Sequence, residues 1–429
     1  MGLVDTLIDS LRQCCATFPD ARRQTDSVYP MADIGLAAFS VFFMQSPSFL
    51  SHQRHLEEGY GRSNCQTLFG LKKIPCDNHI RALLDPAEPA LLDPVFSTVL
   101  DELQRVDGLA QFRRLGDHVL IALDGTEYFR SRKVSCPNCS TQTRADGTVD
   151  YLHTMLGATL VAPGHRQVVP LQPEFVAPQD GADKQDCENR AAKRWLAVHG
   201  RQYAPLNPIY LGDDLFAHQP LCEAVQAAGG HFLFVCKPAS HTLIQEYVTG
   251  VALDTLSVPV KRGRERATHR YRWLCDVPLR DGRDAVRVNW LEIEIANPKG
   301  KVTYRNSFIT DLPVTRETVA ELAACGRARW KIENETFNVL KNHGYNIEHN
   351  FGHGRQHLAA LLVTLNLLAF AFHTVAEIGE AFWRQARAKA GARVQFFNRL
   401  AASTTFLIFS SWDDLLQTLA FAKPAPRPP

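Results

Sequence analysis

A strong net charge, an apolar run of membrane length, a paired cysteine frame and an internal repeat are all missing from this sequence. The formal charge is only +2, so no whole-molecule field argues for or against a polyanionic partner, and any nucleic-acid surface has to be a local patch. The most apolar stretch, Leu358 to Phe372, contains Thr364 and Asn366 and ends at His373. It stops short of the roughly 20 residues that a bilayer span needs, which predicts a buried helix. The eleven cysteines are odd in number and scattered, and no signal peptide is visible at the N-terminus; together these lead us to expect a cytoplasmic, reducing location without disulfides. What is present is the balance of a folded protein, 45% apolar and 21% charged residues, with disorder expected only in the Pro-rich tail Ala422 to Pro429. At 429 residues the chain exceeds the roughly 250–300 residues of a single core and predicts two or three domains.

Apolar residues at helical spacing over Leu3 to Leu11, Ile34 to Met44 and Leu91 to Leu103 predict a helical N-terminal domain, residues 1–112, for DNA binding or dimerisation. Within it, Ser63 to Leu84 reads as two helical runs split before Asp77, a helical hairpin or a helix-turn-helix with Asp77 as cap. From Gly116 the texture changes to strands. Val119 to Leu123 is a short apolar run that stops at Asp124-Gly125, and strands over Tyr151 to Val161 and Gln167 to Phe175 complete a meander around Pro163-Gly164. A helix from Lys184 to His199, a strand Pro208 to Leu211 ending at Gly212-Asp213-Asp214, a helix Gln219 to Ala228 and a strand His231 to Cys236 follow. This order predicts an α/β, ribonuclease H-like mixed sheet with flanking helices, its first part at 113–239. Residues 240–312 read as a β-rich insertion, 313–378 as the second part of the core, with a helix over Glu317 to Lys341, and 379–429 as C-terminal helices and tail.

Phosphodiester chemistry needs charge relief at the attacking oxygen, the leaving oxygen and the phosphorus together. Two divalent metals about 4 Å apart provide it, and carboxylates delivered by rigid elements hold them; Mg²⁺ or Mn²⁺ suits such oxygen ligands. Asp124 and Asp213 end predicted strands, and Glu333 lies on a helix able to cross the same sheet edge. Each alone has a plain structural reading: a turn Asp before Gly, a helix cap with Asp214 as rival, a solvated ion-pair Glu. Glu335 is a rival third ligand, about 200° round an α-helix from Glu333.

The stretch Arg329-Trp330-Lys331-Ile332-Glu333, followed by Phe337 and Leu340-Lys341, resembles the Arg-Trp-x-Ile-Glu signature of DDE-class bacterial insertion-sequence transposases. The continuation Asn334 to Tyr345 and Asn350-Phe351-Gly352-His353-Gly354 is similar to one branch of that family, Gly212-Asp213-Asp214-Leu215-Phe216 to its second aspartate motif, and Leu123-Asp124-Gly125-Thr126 to its first. The resemblance spans about residues 118 to 375. It implies a DNA transposase, a metal-dependent endonuclease that cleaves and joins strands at transposon ends, working as a homodimer on double-stranded DNA in the bacterial cytoplasm. Asp124, Asp213 and Glu333 would then be catalytic metal ligands, Arg329 and Lys341 would grip phosphates, and Trp330 would pack beneath them. The chain departs from the signature in having Gly326 where a Tyr is usual and in placing Lys341 one position late. The alternative is a nuclease of the same fold, or an inactive domesticated relative that binds DNA without strand transfer.

Two further features carry chemistry. Lys261, Arg262, Arg264 and Arg266 head a basic stretch running to Arg287, readable as a DNA-binding patch or as a solvated hairpin face. Cys136-Pro137-Asn138-Cys139 offers half of a tetrahedral zinc site, with His153 or Cys187 to complete it; the same spacing also fits a reduced turn or, less readily, a redox pair.

Overall fold

A computed structural model describes residues 2–22, 28–176, 178, 187–263 and 265–421. The predicted start of a helix at Lys184, the side chain of Arg262, all of Arg264 and the Pro-rich tail lie outside the described residues.

The N-terminal segment is helical, as the periodicity predicts: α1 (Leu3–Ala16), α2 (Met31–Phe43), α3 (Phe49–Glu57), α4 (Gly61–Phe69), α5 (Asp77–Leu84) and α6 (Asp93–Arg105). Local chemistry sets several ends. Ser48 caps α3 by accepting from the Ser51 amide, and Gly70 closes α4 in a left-handed conformation that a side chain would resist. Cys76, not the expected Asp77, is the cap residue of α5; Asp77 sits in its first turn, where a negative charge suits the helix dipole.

The sheet elements and their helices follow: β1 (Arg113–Arg114), β2 (His118–Ser131), β3 (Ser140–Thr143), β4 (Val149–Val161), β5 (Val169–Pro170), β6 (Glu174–Phe175), α7 (Glu188–Tyr203), β7 (Pro208–Gly212), α8 (Gln219–Ala227) and β8 (His231–Val235). The strand order along the sheet begins β3-β4-β2-β7-β8, with β5 and β6 also on β4. β4 is antiparallel to β2, while β7 runs parallel to β2 and β8 parallel to β7. That is the ribonuclease H-like arrangement. The expected third strand is present only as β5 and β6, because Pro170 and Pro173 withhold amide donors from the ladder.

Asp124 does not end its strand, contrary to expectation. β2 pairs with β4 from Leu120↔Val161 to Ser131↔Tyr151, whereas its pairing with β7 stops at Ala122↔Leu211. β2 and β4 therefore project beyond the parallel sheet as an arm, and Asp124 sits where the arm leaves it.

Residues 240–312 are not wholly β. They open with α9 (Thr242–Gly250), then form β9 (Asp254–Arg262), β10 (Glu265–Pro278), β11 (Arg287–Ala296) and β12 (Val302–Thr310). β12 pairs antiparallel with β8, so this block extends the same sheet outward to β9.

The single helix predicted over Glu317 to Lys341 is instead α10 (Val319–Arg327), a turn, a π-helical stretch Ile332–Phe337 and α11 (Asn338–Asn342). The π geometry has a packing reason. Ile332 and Phe337 are both buried; five residues apart, they would diverge on an α-helix, but the i→i+5 spacing turns both toward the sheet.

The remainder is α12 (Leu358–Gly379), α13 (Ala381–Ala390), α14 (Arg393–Phe406) and α15 (Trp412–Phe421). α12 outlasts the apolar run that predicts it, and its 22 residues are long and apolar enough to cross a membrane; 89% of its most apolar window is buried inside the protein. It packs on α1, α2 and α6, where Leu361, Leu365 and Leu368 are fully buried, each worth roughly 1.5–3 kcal/mol. Its polar side chains are used as well: Asn366 donates to the Tyr345 carbonyl at 2.9 Å, and His373 Nδ1 meets the Tyr345 hydroxyl at 2.7 Å.

A glycine seats the π-helical stretch on the sheet. A Cβ at Gly157 of β4 would lie 2.7 Å from the Phe337 ring. Gly157→Val is expected to destabilise the fold by about 1–3 kcal/mol through overpacking, and Phe337→Leu in the same chain to recover part of it. Chemical denaturation of the single and double variants measures both; additive losses would show that the two residues do not touch.

Candidate active site

The parallel pairing of β2 with β7 fixes the first two acidic residues. Asp124 and Asp213 each lie two positions beyond the matched pair Ala122↔Leu211, so they leave neighbouring strands at the same level. Asp213 Oδ1 accepts the Leu215 amide at 2.8 Å, an Asx turn that holds the side chain at the strand end. Asp124 Oδ1 accepts the amide of Gly125 at 3.0 Å.

Glu333 reaches this corner from the π-helical stretch, which packs on β2 and β4. Arg329 links the two elements: its guanidinium lies 3.4 Å from Asp124 Oδ2 and 2.6 Å from Glu333 Oε1. The Asp124 carboxyl is pushed up to about 7, mainly by burial, with Arg329 pulling against this and Glu333, Asp213 and Glu188 adding to it.

Glu188 is a fourth carboxyl group that the sequence does not single out. It stands in the first turn of α7, and a Cβ at Gly125 would lie 2.1 Å from its Oε1. A side chain at 125 would push the Glu188 carboxyl group aside. Burial and the charge of Asp213 raise its proton affinity. Its one sequence signal is an acidic residue opening a helix, which is common wherever the helix dipole favours it.

The rivals have other work. Asp214 accepts the Lys237 amide at 2.5 Å and the Ser240 hydroxyl, and faces His241 at 3.4 Å. Glu335 lines a separate cleft with Arg166, Arg387 and Arg393. Lys341 pairs with Glu348 at 2.8 Å. Trp330 does not pack beneath Arg329 and Lys341: it is 45% exposed, turned outward by the break after α10, with the Lys331 ammonium 5.0 Å from its ring centre.

Four arginines of the basic stretch are paired with acidic residues. Arg270 and Arg272 on β10 face Glu294 and Glu292 on β11 in direct register, at 3.0 Å and 2.5 Å. Arg280 pairs with Asp284 and Arg287 with Asp276. Lys261 and Arg266, opposite each other at the β9–β10 hairpin end, are exposed and have no acidic partner among the described residues.

The cysteine pair is part of a cluster. Cys136 Sγ and Cys139 Sγ are 3.8 Å apart, each 3.5 Å from His153 Nε2, and Cys139 Sγ is also 3.5 Å from His353 Nε2. Cys187, the expected completing ligand, is not in it. It is exposed at the N-terminus of α7, and His353, from the segment between α11 and α12, stands in its place.

Among known families, residues 181–371 match the transposase DDE domain. The match includes Asp213 and Glu333 and begins after Asp124. It bears out the resemblance read from the Arg329 to Glu333 signature, and with it a transposase activity that acts on DNA. No match was found among curated proteins.

The buried charge at Asp124 has a thermodynamic sign. With its folded-state proton affinity raised to about 7 from 3.8, the folded protein holds a proton that the unfolded chain releases, so stability falls as pH rises between those values and stays lower above about 7. In chelator, Asp124→Asn is therefore expected to be more stable than the wild type at pH 8, by up to about 4 kcal/mol at about 1.4 kcal/mol per tenfold change in proton affinity. The gain should shrink toward zero near pH 4. Thermal melts across this range test it; a gain independent of pH would remove ionisation of the buried Asp124 as its source.

Proposed function

We propose that the transposase DDE domain matched over residues 181–371 is completed by Asp124, and that the chain cleaves and joins DNA strands at transposon ends by two-metal-ion phosphoryl transfer. The observation that carries this reading is the shared corner: Asp124 and Asp213 level on adjacent parallel strands, and Glu333 tied to Asp124 through Arg329.

The donor set fits Mg²⁺ or Mn²⁺. It is all oxygen, it is rigidly mounted, and it carries more carboxyl groups than the one guanidinium balances; burial first, and then those neighbouring carboxyl groups, keep Asp124 from ionising. The carboxylates need not crowd about one point, because a pair of ions about 4 Å apart would spread the ligands. Asp124, Asp213 and Glu333 would hold the pair, whose chemistry is to relieve charge on the attacking and leaving oxygens.

The chain's own residues supply position. The sheet fixes Asp124 and Asp213, while Glu333, with its side chain 48% exposed, faces the side from which DNA approaches. Arg329 balances the site without DNA and lies close enough to meet a phosphate beside the cleaved bond. Lys261 and Arg266 at the hairpin end extend the contact along the duplex backbone. Joining two ends requires two active centres, so we assign a homodimer.

Asp124→Ala, Asp213→Ala and Glu333→Ala are each expected to lower Mg²⁺-dependent cleavage of transposon-end DNA by roughly 100- to 1,000-fold or more, the scale of removing a group that stabilises transition-state charge. DNA binding in a gel-shift assay should persist. Asp214→Ala should instead cost about 1–2 kcal/mol of stability through its lost hydrogen bonds, and Glu335→Ala should still cut. Near-normal cutting by any of the first three variants removes that residue from the centre; cleavage without any joined product would make the protein a nuclease.

A further inference from the structure

We infer that Cys136, Cys139, His153 and His353 form a structural zinc site that clamps the segment between α11 and α12 to the β2–β4 arm. Their donor atoms all lie within 4.8 Å of one another, the only such set among the described residues. The spacing is specific. Zinc–sulfur bonds of about 2.3 Å and zinc–nitrogen bonds of about 2.0–2.1 Å in a tetrahedron require edges of about 3.8 Å between sulfurs and about 3.5–3.6 Å between sulfur and nitrogen. The structure has 3.8 Å for the sulfur pair and 3.5 Å for each of the three sulfur–nitrogen contacts quoted above.

The surroundings are those of a closed site. Cys139 and His153 are buried, and thiols and imidazoles packed together without an ion would make only weak hydrogen bonds in compensation. The rings are held by aromatic neighbours on β2: Tyr128 stacks on His153 with centroids 5.6 Å apart, and Phe129 lies 4.4 Å from His353. The Cys136 sulfur is far enough from that of Cys139 to exclude a disulfide. With all four positions taken by protein, no place remains for a reacting water, so the role is structural.

What the ion would join is informative. Cys136 and Cys139 sit between β2 and β3, and His153 on β4; His353 comes from the chain that follows the Glu333 element. A second contact spans the same gap, Asn138 Nδ2 donating to the Gln356 carbonyl at 2.6 Å. On the other side, Asp85 accepts the amides of Arg355, Gln356 and Leu358. Zinc thus closes a loop whose two stems carry Asp124 and Glu333, independently of what those carboxylates do.

Metal analysis of the purified full-length protein should find close to one zinc per chain, and Co²⁺ exchanged into it should show the visible absorption of tetrahedral thiolate–cobalt. Cys136→Ser, Cys139→Ser and His353→Ala should each lose most of the zinc, Cys187→Ser should keep it, and Asp124→Ala/Glu333→Ala should keep it too. Absence of zinc with no thiolate–cobalt spectrum overturns the site. So does retention by His353→Ala, loss from Cys187→Ser, or loss from the carboxylate variant, the last assigning the ion to the other centre. Because the cobalt spectrum is read on the unaltered chain, poor folding of any variant leaves the outcome decisive.

Discussion

The site depends on the register between β2 and β7. Side chains alternate across a strand, so a slip of one residue would send Asp124 or Asp213 to the opposite face of the sheet. The register is held by burial: Leu120, Ile121, Ala122, Ile209, Tyr210 and Leu211 are all inaccessible to solvent, and parallel strands covered on both faces have no cheap alternative pairing. Two acidic residues far apart in sequence become neighbours because the apolar residues before them can sit in only one way.

That arrangement costs the fold something. Like charges gathered where water is scarce raise the proton affinity of Asp124 and Glu188, and Arg329 only partly offsets the repulsion. Salt bridges of such partly buried groups add little net stability. A core this extensive can carry the penalty: the apolar side chains of the N-terminal helices, the sheet and α12 form one connected cluster.

The architecture was legible wherever periodicity and strand-ending carboxylates coincide, as at Asp213 after Pro208 to Leu211. It was less legible where pairing, not composition, sets an element's length. Nothing in Gly125 to Ser131 announces that β2 continues, since that depends on β4 being there to receive it. The π-helical stretch around Glu333 was hidden for the same reason: Ile332 and Phe337 both face the sheet, a fact of tertiary packing. The Arg329 to Glu333 signature was nonetheless readable as a unit, and the transposase DDE domain match agrees with it. Glu188 left no readable signal, and Cys187 was expected near the Cys136–Cys139 turn while His353 was not, because spacing along the chain does not say which loop returns to that turn.

Charge follows similar logic. Counting arginines between residues 261 and 287 suggests a broad basic face, but a sheet pairs opposite charges across strands as readily as it pairs apolar groups, and Glu292 and Glu294 on β11 take up Arg272 and Arg270. Exposed pairs of this kind are worth at most about 1 kcal/mol each, so they add little stability; their main effect is to cancel field. What remains includes a positively charged hairpin end at Lys261 and Arg266, and elsewhere a cleft lined by Arg166, Arg387 and Arg393 together with Glu335 and Glu377. A chain of net charge +2 can thus still present local groups of cations, and DNA held by such separated contacts would be placed by their geometry more than drawn in by a general field.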